Sequence, residues 1–207
     1  MLKILGKPSS INVRKVLWTC AELDLPYTLE AWGTGALSLQ SPQFLAINPN
    51  GLVPVIDDDG FVVWESNSIC RYLANQYGDG VLLPRSARER SLVERWMDWQ
   101  ATELNNAWRY AFMALVRHSP QHQDGTLIAG SVSSWNGAMT LLEQQLAATG
   151  AFVCGAQLTL ADIVIGLSVN RWKATPLAHA ALPAVEQYFA RLSTRAGFLE
   201  HGNNGMA

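Results

Sequence analysis

The chain has 207 residues, 49% hydrophobic and 15% charged, with a formal net charge of -2. That length allows one large or two small domains, and a composition so rich in apolar residues excludes a disordered chain. The near-neutral charge excludes the basic field of a nucleic-acid binder, and no apolar run is long enough to read as a membrane span.

Residues 2–5 read as a short strand, entered from Met1 without the apolar stretch of a signal peptide, so a cytoplasmic protein is expected. Gly6 to Ser10 is a loop. Over residues 12–23, Val13, Val16, Leu17, Cys20 and Ala21 recur at helical spacing. Residues 26–32 read as a second strand after a proline break. Residues 33–47 are irregular, with a short helix around 42–46. Residues 52–56 and 61–64 read as strands joined by Asp57-Asp58-Asp59-Gly60, a hairpin signal. Residues 67–77 form a helix with Ile69, Tyr72 and Leu73 on one face. The order β-α-β-α-β-β-α predicts a small mixed sheet with helices on both faces.

The pattern is helical after a linker over residues 79–87, so the expected division is an α/β domain over 1–78 and an all-α domain over 88–207. Residues 87–117 read as one long helix carrying Leu92, Trp96, Trp99, Leu104, Trp108 and Phe112. Residues 126–150 read as another, with Gly150 as its C-cap. Thr159-Leu160-Ala161-Asp162 is a capping box opening an apolar, buried helix over 163–172. Residues 183–193 read as a last amphipathic helix. Cys20, Cys70 and Cys154 are scattered and read as buried thiols. The histidines show no zinc pattern, and Pro120 separates His118 from His122. No metal is expected.

The most informative stretch is 48–74. Val53 precedes Pro54 and is pushed toward extended geometry, while Pro54 cannot donate a hydrogen bond. A cis bond there would turn the chain and aim the backbone of Val53 at a ligand. Glu65 and Ser66 stand at a helix start, where free N–H groups suit a carboxylate. A peptide could pair with Val53 while its carboxylate lands on Ser66.

Three segments carry a resemblance to the glutathione transferases: Asn48-Pro49-Asn50-Gly51-Leu52-Val53-Pro54, the run Glu65 to Ala74, and Gly6-Lys7-Pro8-Ser9-Ser10-Ile11-Asn12-Val13-Arg14-Lys15-Val16-Leu17. The chain resembles a bacterial serine-type (theta- or phi-like) member over nearly its whole length. The resemblance implies a thioredoxin-like N-terminal domain, an all-α C-terminal domain, and glutathione as co-substrate. It implies that Ser10 donates a hydrogen bond to the glutathione thiolate. Ser9 is second in line and Asn12 third, and each also suits a plain helix cap. The loop holds no cysteine and no tyrosine, against the relatives that use those residues.

For binding, the resemblance implies that Val53, placed by a cis Pro54, pairs with the cysteinyl backbone. Glu65 then meets the γ-glutamyl ammonium and Ser66 its carboxylate. Leu52 departs from the polar or basic residue that relatives often place near the glycyl end, and Gln40 is a substitute there. The second substrate, a small hydrophobic electrophile, would sit between the domains against Trp108, Arg109 and Phe112, with Trp32 also facing the cleft. The same aromatics suit a core stripe. Arg171-Trp172 reads as a pocket wall or a structural pair. Trp96 and Trp99 fit core or a dimer surface, and Glu103 would reach glutathione in a partner subunit. A homodimer is expected. Two other classes share the fold: a binding or regulatory module with a degraded site, and a carrier of hydrophobic ligands.

Overall fold

The computed structural model describes residues 1–206. Its elements run β1 (Leu2–Leu5), α1 (Ile11–Glu22), β2 (Thr28–Glu30), α2 (Pro42–Ile47), β3 (Val55–Asp58), β4 (Phe61–Trp64) and α3 (Ser66–Gln76), the order read from the sequence. After a segment without regular structure come α4 (Ala87–Trp99), a π-helical turn (Gln100–Leu104), α5 (Asn105–Leu115), α6 (Gly125–Thr149), α7 (Leu160–Ala174), α8 (Pro183–Leu192) and α9 (Ala196–His201). This is a thioredoxin-like α/β half joined to an all-helical half.

The sheet order is β2-β1-β3-β4, with β1 and β2 parallel and the other pairs antiparallel. Side chains alternate across it, as the period of two requires. Ile4 and Ile56 face the main core with α1 and α3. Leu5 and Val55 face the other side, where Phe44 of α2 covers them. The hairpin turns through Asp59 and Gly60, both at positive φ (49° and 94°), and the Asp57 carboxylate accepts the Gly60 N–H at 2.7 Å. That is the geometry Asp-Gly favours.

Besides shifts of one to three residues at other ends, four differences from the sequence reading each have a local reason. The second strand spans only 28–30, because the Trp32 N–H turns back to the Glu30 carbonyl (2.7 Å) and takes the chain out of the sheet. The third strand begins at Val55 and not at residue 52, since the Val53–Pro54 bond is cis and Pro54 has no N–H to pair. The helix expected over 87–117 is interrupted by the π turn and stops at Leu115, with His118 at positive φ just beyond. Helix α9 has only six residues, too few for a periodic pattern to reveal.

Helix α7 is the axis of the helical half, buried at every residue from Leu160 to Trp172. Its capping box is present. The Asp162 carboxylate accepts from the N–H groups of Val153 and Thr159 (both 2.8 Å) and from the hydroxyls of Thr159 (3.0 Å) and Tyr188 (3.1 Å). Burial pushes this carboxyl up to about 6, against the pull of those donors. Gly150 caps α6 in the left-handed conformation (φ 72°), as expected.

Helix α1 ties the halves together. It packs on α3 in one direction and on α7 and α9 in the other. Trp18 is fully buried there, 5.0 Å between ring centroids from Phe198. The close approach needs glycine: a Cβ on Gly166 would meet Leu192 at 2.6 Å, and one on Gly197 would meet Trp18 at 2.7 Å.

Candidate active site

The β1–α1 loop delivers Ser10 to the N-terminus of α1. The Ser10 carbonyl accepts the Arg14 N–H (3.0 Å) and its own N–H donates to the Lys7 carbonyl (3.0 Å), which fixes the backbone. Its side chain makes no cap bond. Among the described residues the hydroxyl therefore has no protein partner, and it sits where the helix dipole favours negative charge. Ser9 is exposed beside it, and both serines line one cleft of about 580 Å³. Asn12 is exposed in the first turn of α1 and does not line that cleft.

The turn before β3 presents the backbone of Val53. Buried Asn48 braces it, donating to the Leu52 carbonyl (2.8 Å) and accepting the Asn50 N–H (3.1 Å). Val53 precedes the cis Pro54 and lies outside the ladder, so its own N–H and C=O pair with no group among the described residues. Leu52 is 61% exposed beside it. Gly51 takes a positive φ of 61°, and a Cβ there would meet Gln40 Nε2 at 2.8 Å. Gln40 thus reaches across the turn to the neighbourhood of Leu52.

At α3 the N-cap is Glu65, held at φ 72°, with an exposed carboxylate that makes no cap bond. Ser66 is the first helical residue and is 7% exposed. The unused N–H groups of this turn and the Ser66 hydroxyl form a donor set for a carboxylate, next to an acceptor for an ammonium. Asn67 anchors the turn by donating to the Met97 carbonyl (3.0 Å).

A buried chain of hydrogen bonds continues from there. Lys15 donates to Asn67 (3.3 Å) and to Gln100 (2.9 Å). Gln100 donates to Asn105 and to Ser168 (both 3.0 Å), and the Trp108 indole donates to the same Asn105 oxygen (3.0 Å). Gln100 opens the π turn and is buried at the centre of this chain. Burial lowers the Lys15 ammonium to about 8.

The cleft above Ser10 is walled by Trp108, Arg109 and Phe112 of α5. Trp108 and Phe112 meet edge to face at 5.3 Å. Trp32 is not part of it; its ring packs on Phe44 at 5.1 Å, with the α2 side of the sheet, because the chain folds back after β2. Trp96 packs edge-on against Trp99 at 5.1 Å and is buried, which fits the core alternative. Glu103 is exposed on the π turn. Lys7, Arg117, His122 and Arg171 also line the cleft. Lys7, Arg117 and His122 were not assigned there, because they come from separate segments that only the fold brings together. Of the pair read as a pocket wall or a structural pair, Arg171 lines the cleft, and Trp172 is buried away from it.

Cys20 and Cys70 are buried thiols pushed up to about 12 and about 11 by burial, whereas Cys154 is only partly buried. No His, Cys, Asp or Glu cluster among the described residues is placed to hold a metal ion.

A family model described as the glutathione S-transferase N-terminal domain matches residues 9–76. The chain is 36% identical over 197 residues to glutathione S-transferase GstB of Escherichia coli (strain K12), covering 94% of each. It superposes with a TM-score of 0.88, at 32% identity, on the theta class glutathione S-transferase of Xanthomonas axonopodis pv. citri with glutathione bound, covering 100% of this chain and 99% of that one. It is also 32% identical over 153 residues to a probable elongation factor 1-gamma 2 of Arabidopsis thaliana, spanning 72% of this chain and 36% of that protein. With a near full-length relative of this identity, the chain belongs to the glutathione S-transferase superfamily.

Proposed function

We propose that the chain is a glutathione S-transferase in which Ser10 activates the thiol of glutathione for attack on a small hydrophobic electrophile. The observation that carries this is the unpartnered Ser10 hydroxyl at the α1 N-terminus, facing a cleft walled by Trp108 and Phe112. Glu65 takes the γ-glutamyl ammonium, Ser66 and the α3 N–H groups take its carboxylate, and Val53 pairs with the cysteinyl backbone. Gln40 serves the glycyl end, where Leu52 offers no donor.

A free thiol ionises near pH 8.5, and only the thiolate is a strong nucleophile. The thiol proton leaves to solvent, and the Ser10 hydroxyl donates to the sulfur anion with the α1 dipole behind it. The sulfur then attacks the electrophilic carbon. A C–S bond forms as the bond to the leaving group breaks, and the leaving group departs with the electron pair. Trp108 and Phe112 hold the apolar body of the substrate out of water.

The same proposal includes a glutathione-binding domain over 1–78, a helical domain over 88–207, and a cytoplasmic homodimer acting in detoxification, with organic hydroperoxide reduction as a side activity. No helix of the described residues is long and apolar enough to cross a membrane. The test is turnover of glutathione with chlorodinitrobenzene in the wild type and in Ser10→Ala. Loss of the rate, with bound thiolate absorbance gone and glutathione still bound, is expected; an unchanged rate removes Ser10 from its role.

A second reading, a binding module with little catalysis, is favoured by exposed Leu52 and by the likeness to elongation factor 1-gamma. Calorimetry with glutathione separates the two: no heat at millimolar glutathione supports the module.

A further inference from the structure

The cleft above Ser10 carries more charge than a pocket for neutral electrophiles needs. Lys7, Arg109, Arg117 and Arg171 all line it, and no Asp or Glu does. The chain as a whole has more acids than bases, 17 against 15, so this local excess of cations is not a background property. None of the four forms an ion pair among the described residues.

Arg171 is the decisive member. It is 4% exposed, and among the described residues no hydrogen bond or ion pair reaches its guanidinium. Its carbon lies 4.6 Å from the Trp108 ring centroid and 4.3 Å from that of Phe112. Those aromatic rings give the cation partial compensation. They leave its in-plane N–H donors unused, and these donors match a carboxylate in fork geometry. A buried cation without an anionic partner is costly, and folds that keep one hold it paired. Burial first, then Arg14 and Arg117, lowers its pKa to about 9, so the described charged groups that act on it are themselves cations. Arg117 approaches the same Phe112 ring at 5.4 Å and is exposed at the rim, where it would meet an incoming anion.

We propose that this cleft selects electrophiles bearing a carboxylate, with Arg171 as the buried anion-binding residue and Arg117 as its partner at the rim. The reaction rests on the transferase reading, whereas the binding does not. The carboxylate docks on Arg171 and the carbon carrying the leaving group faces Ser10. Substitution there proceeds as above, with the leaving group departing with its electron pair and the carboxylate unchanged. Val53, Glu65 and Ser66 do not line this cleft, so the anion it takes is separate from the γ-glutamyl carboxylate.

The test compares a matched pair, nitrobenzoate and nitrobenzamide, titrated into the full chain and followed by tryptophan fluorescence, since Trp108 stacks on the proposed subsite. The benzoate is expected to bind at least about tenfold more tightly than the amide, the factor a single charge-assisted contact supplies. In Arg171→Gln that ratio should fall to about one, and in the exposed Arg117→Gln it should fall by about threefold. Arg117→Gln removes no buried group, so it keeps the test decisive even if Arg171→Gln fails to fold. Equal binding of the two ligands, or a ratio unchanged in the variants that fold, overturns the proposal. Competition between nitrobenzoate and glutathione also overturns it, because the cations would then serve glutathione's own carboxylates. Conjugation of chloronitrobenzoate against its amide is measured separately. Absence of any turnover counts against the transferase reading and leaves the binding comparison standing.

Discussion

Helices α7 and α3 both open on a signal that a sequence reader takes for a cap, and they use their first turns in opposite ways. At α7 everything is closed. Asp162 accepts from two N–H groups and two hydroxyls, and the whole turn is buried. At α3 the turn is left open. Glu65 caps nothing, its backbone sits at positive φ, and its carboxylate faces solvent. Helix α1 belongs with α3, since Ser10 also stands at an N-cap without capping. A closed first turn spends its donors on stability, and an open one keeps them for a ligand. The null effect of a substitution on folding is thus as informative as a large one.

The largest expected effect breaks the closed cap. Asp162→Ala strands the N–H groups of Val153 and Thr159 in the core, at about 1–3 kcal/mol for each buried group left unmade. Urea unfolding should show a loss of several kcal/mol. The same residue carries a pH signature. The folded carboxyl keeps its proton up to about 6, while an unfolded one releases it near pH 4. Between those values the folded state binds more protons, so this group's contribution to stability falls as pH rises. The gap in unfolding free energy between wild type and Asp162→Asn should narrow from pH 4 to pH 6; a gap that widens reverses the assignment.

Next in size, Ser10→Ala tests the open cap of α1. Loss of a hydrogen bond to a developing anion costs about a hundredfold or more in kcat. Because the hydroxyl caps nothing, stability should move by under about 0.5 kcal/mol. A stability loss comparable to that of a true cap, about 1 kcal/mol, would mean that the serine closes its helix after all. At α3, Ser66→Ala should raise KM for glutathione about tenfold with kcat nearly unchanged, since a ground-state contact is removed. The smallest effect is Leu52→Lys. An exposed charge pair is worth about 0.2–1 kcal/mol, so KM for glutathione should fall by a factor of about two to five, and less in high salt.

Most of the α/β half was legible because its signals are local. Asp59-Gly60 marks the hairpin, Pro54 ends one strand's reach, and the stretch from Asn48 to Ser66 lies nearly contiguous in the chain. The apolar period found α1, α6 and α7. The helical half hid what periodicity does not encode. Nothing in Gln100 to Leu104 announces a π turn, since one extra residue in a coil leaves the composition unchanged. The cationic wall was hidden for another reason. Arg171 was read as a pocket wall or a structural pair, but Lys7 and Arg117 lie far from it in sequence and meet it only when α1, α5 and α7 are packed. Trp32 was misplaced because β2 is short and the chain reverses after Glu30. Residue type says what chemistry a turn can offer and says little about which turns share a cavity.

The buried chain from Asn67 through Lys15, Gln100 and Asn105 to Trp108 has a practical consequence for anyone redesigning the pocket. The indole that walls the cleft above Ser10 and the first turn of α3 share one set of donors and acceptors. Replacing Trp108 with a residue lacking an N–H removes one of the two donors to the Asn105 oxygen and leaves Gln100 as the other. Reshaping the cleft at α5 is therefore best begun at Arg109 and Phe112, which stand outside that chain, with Trp108 retained.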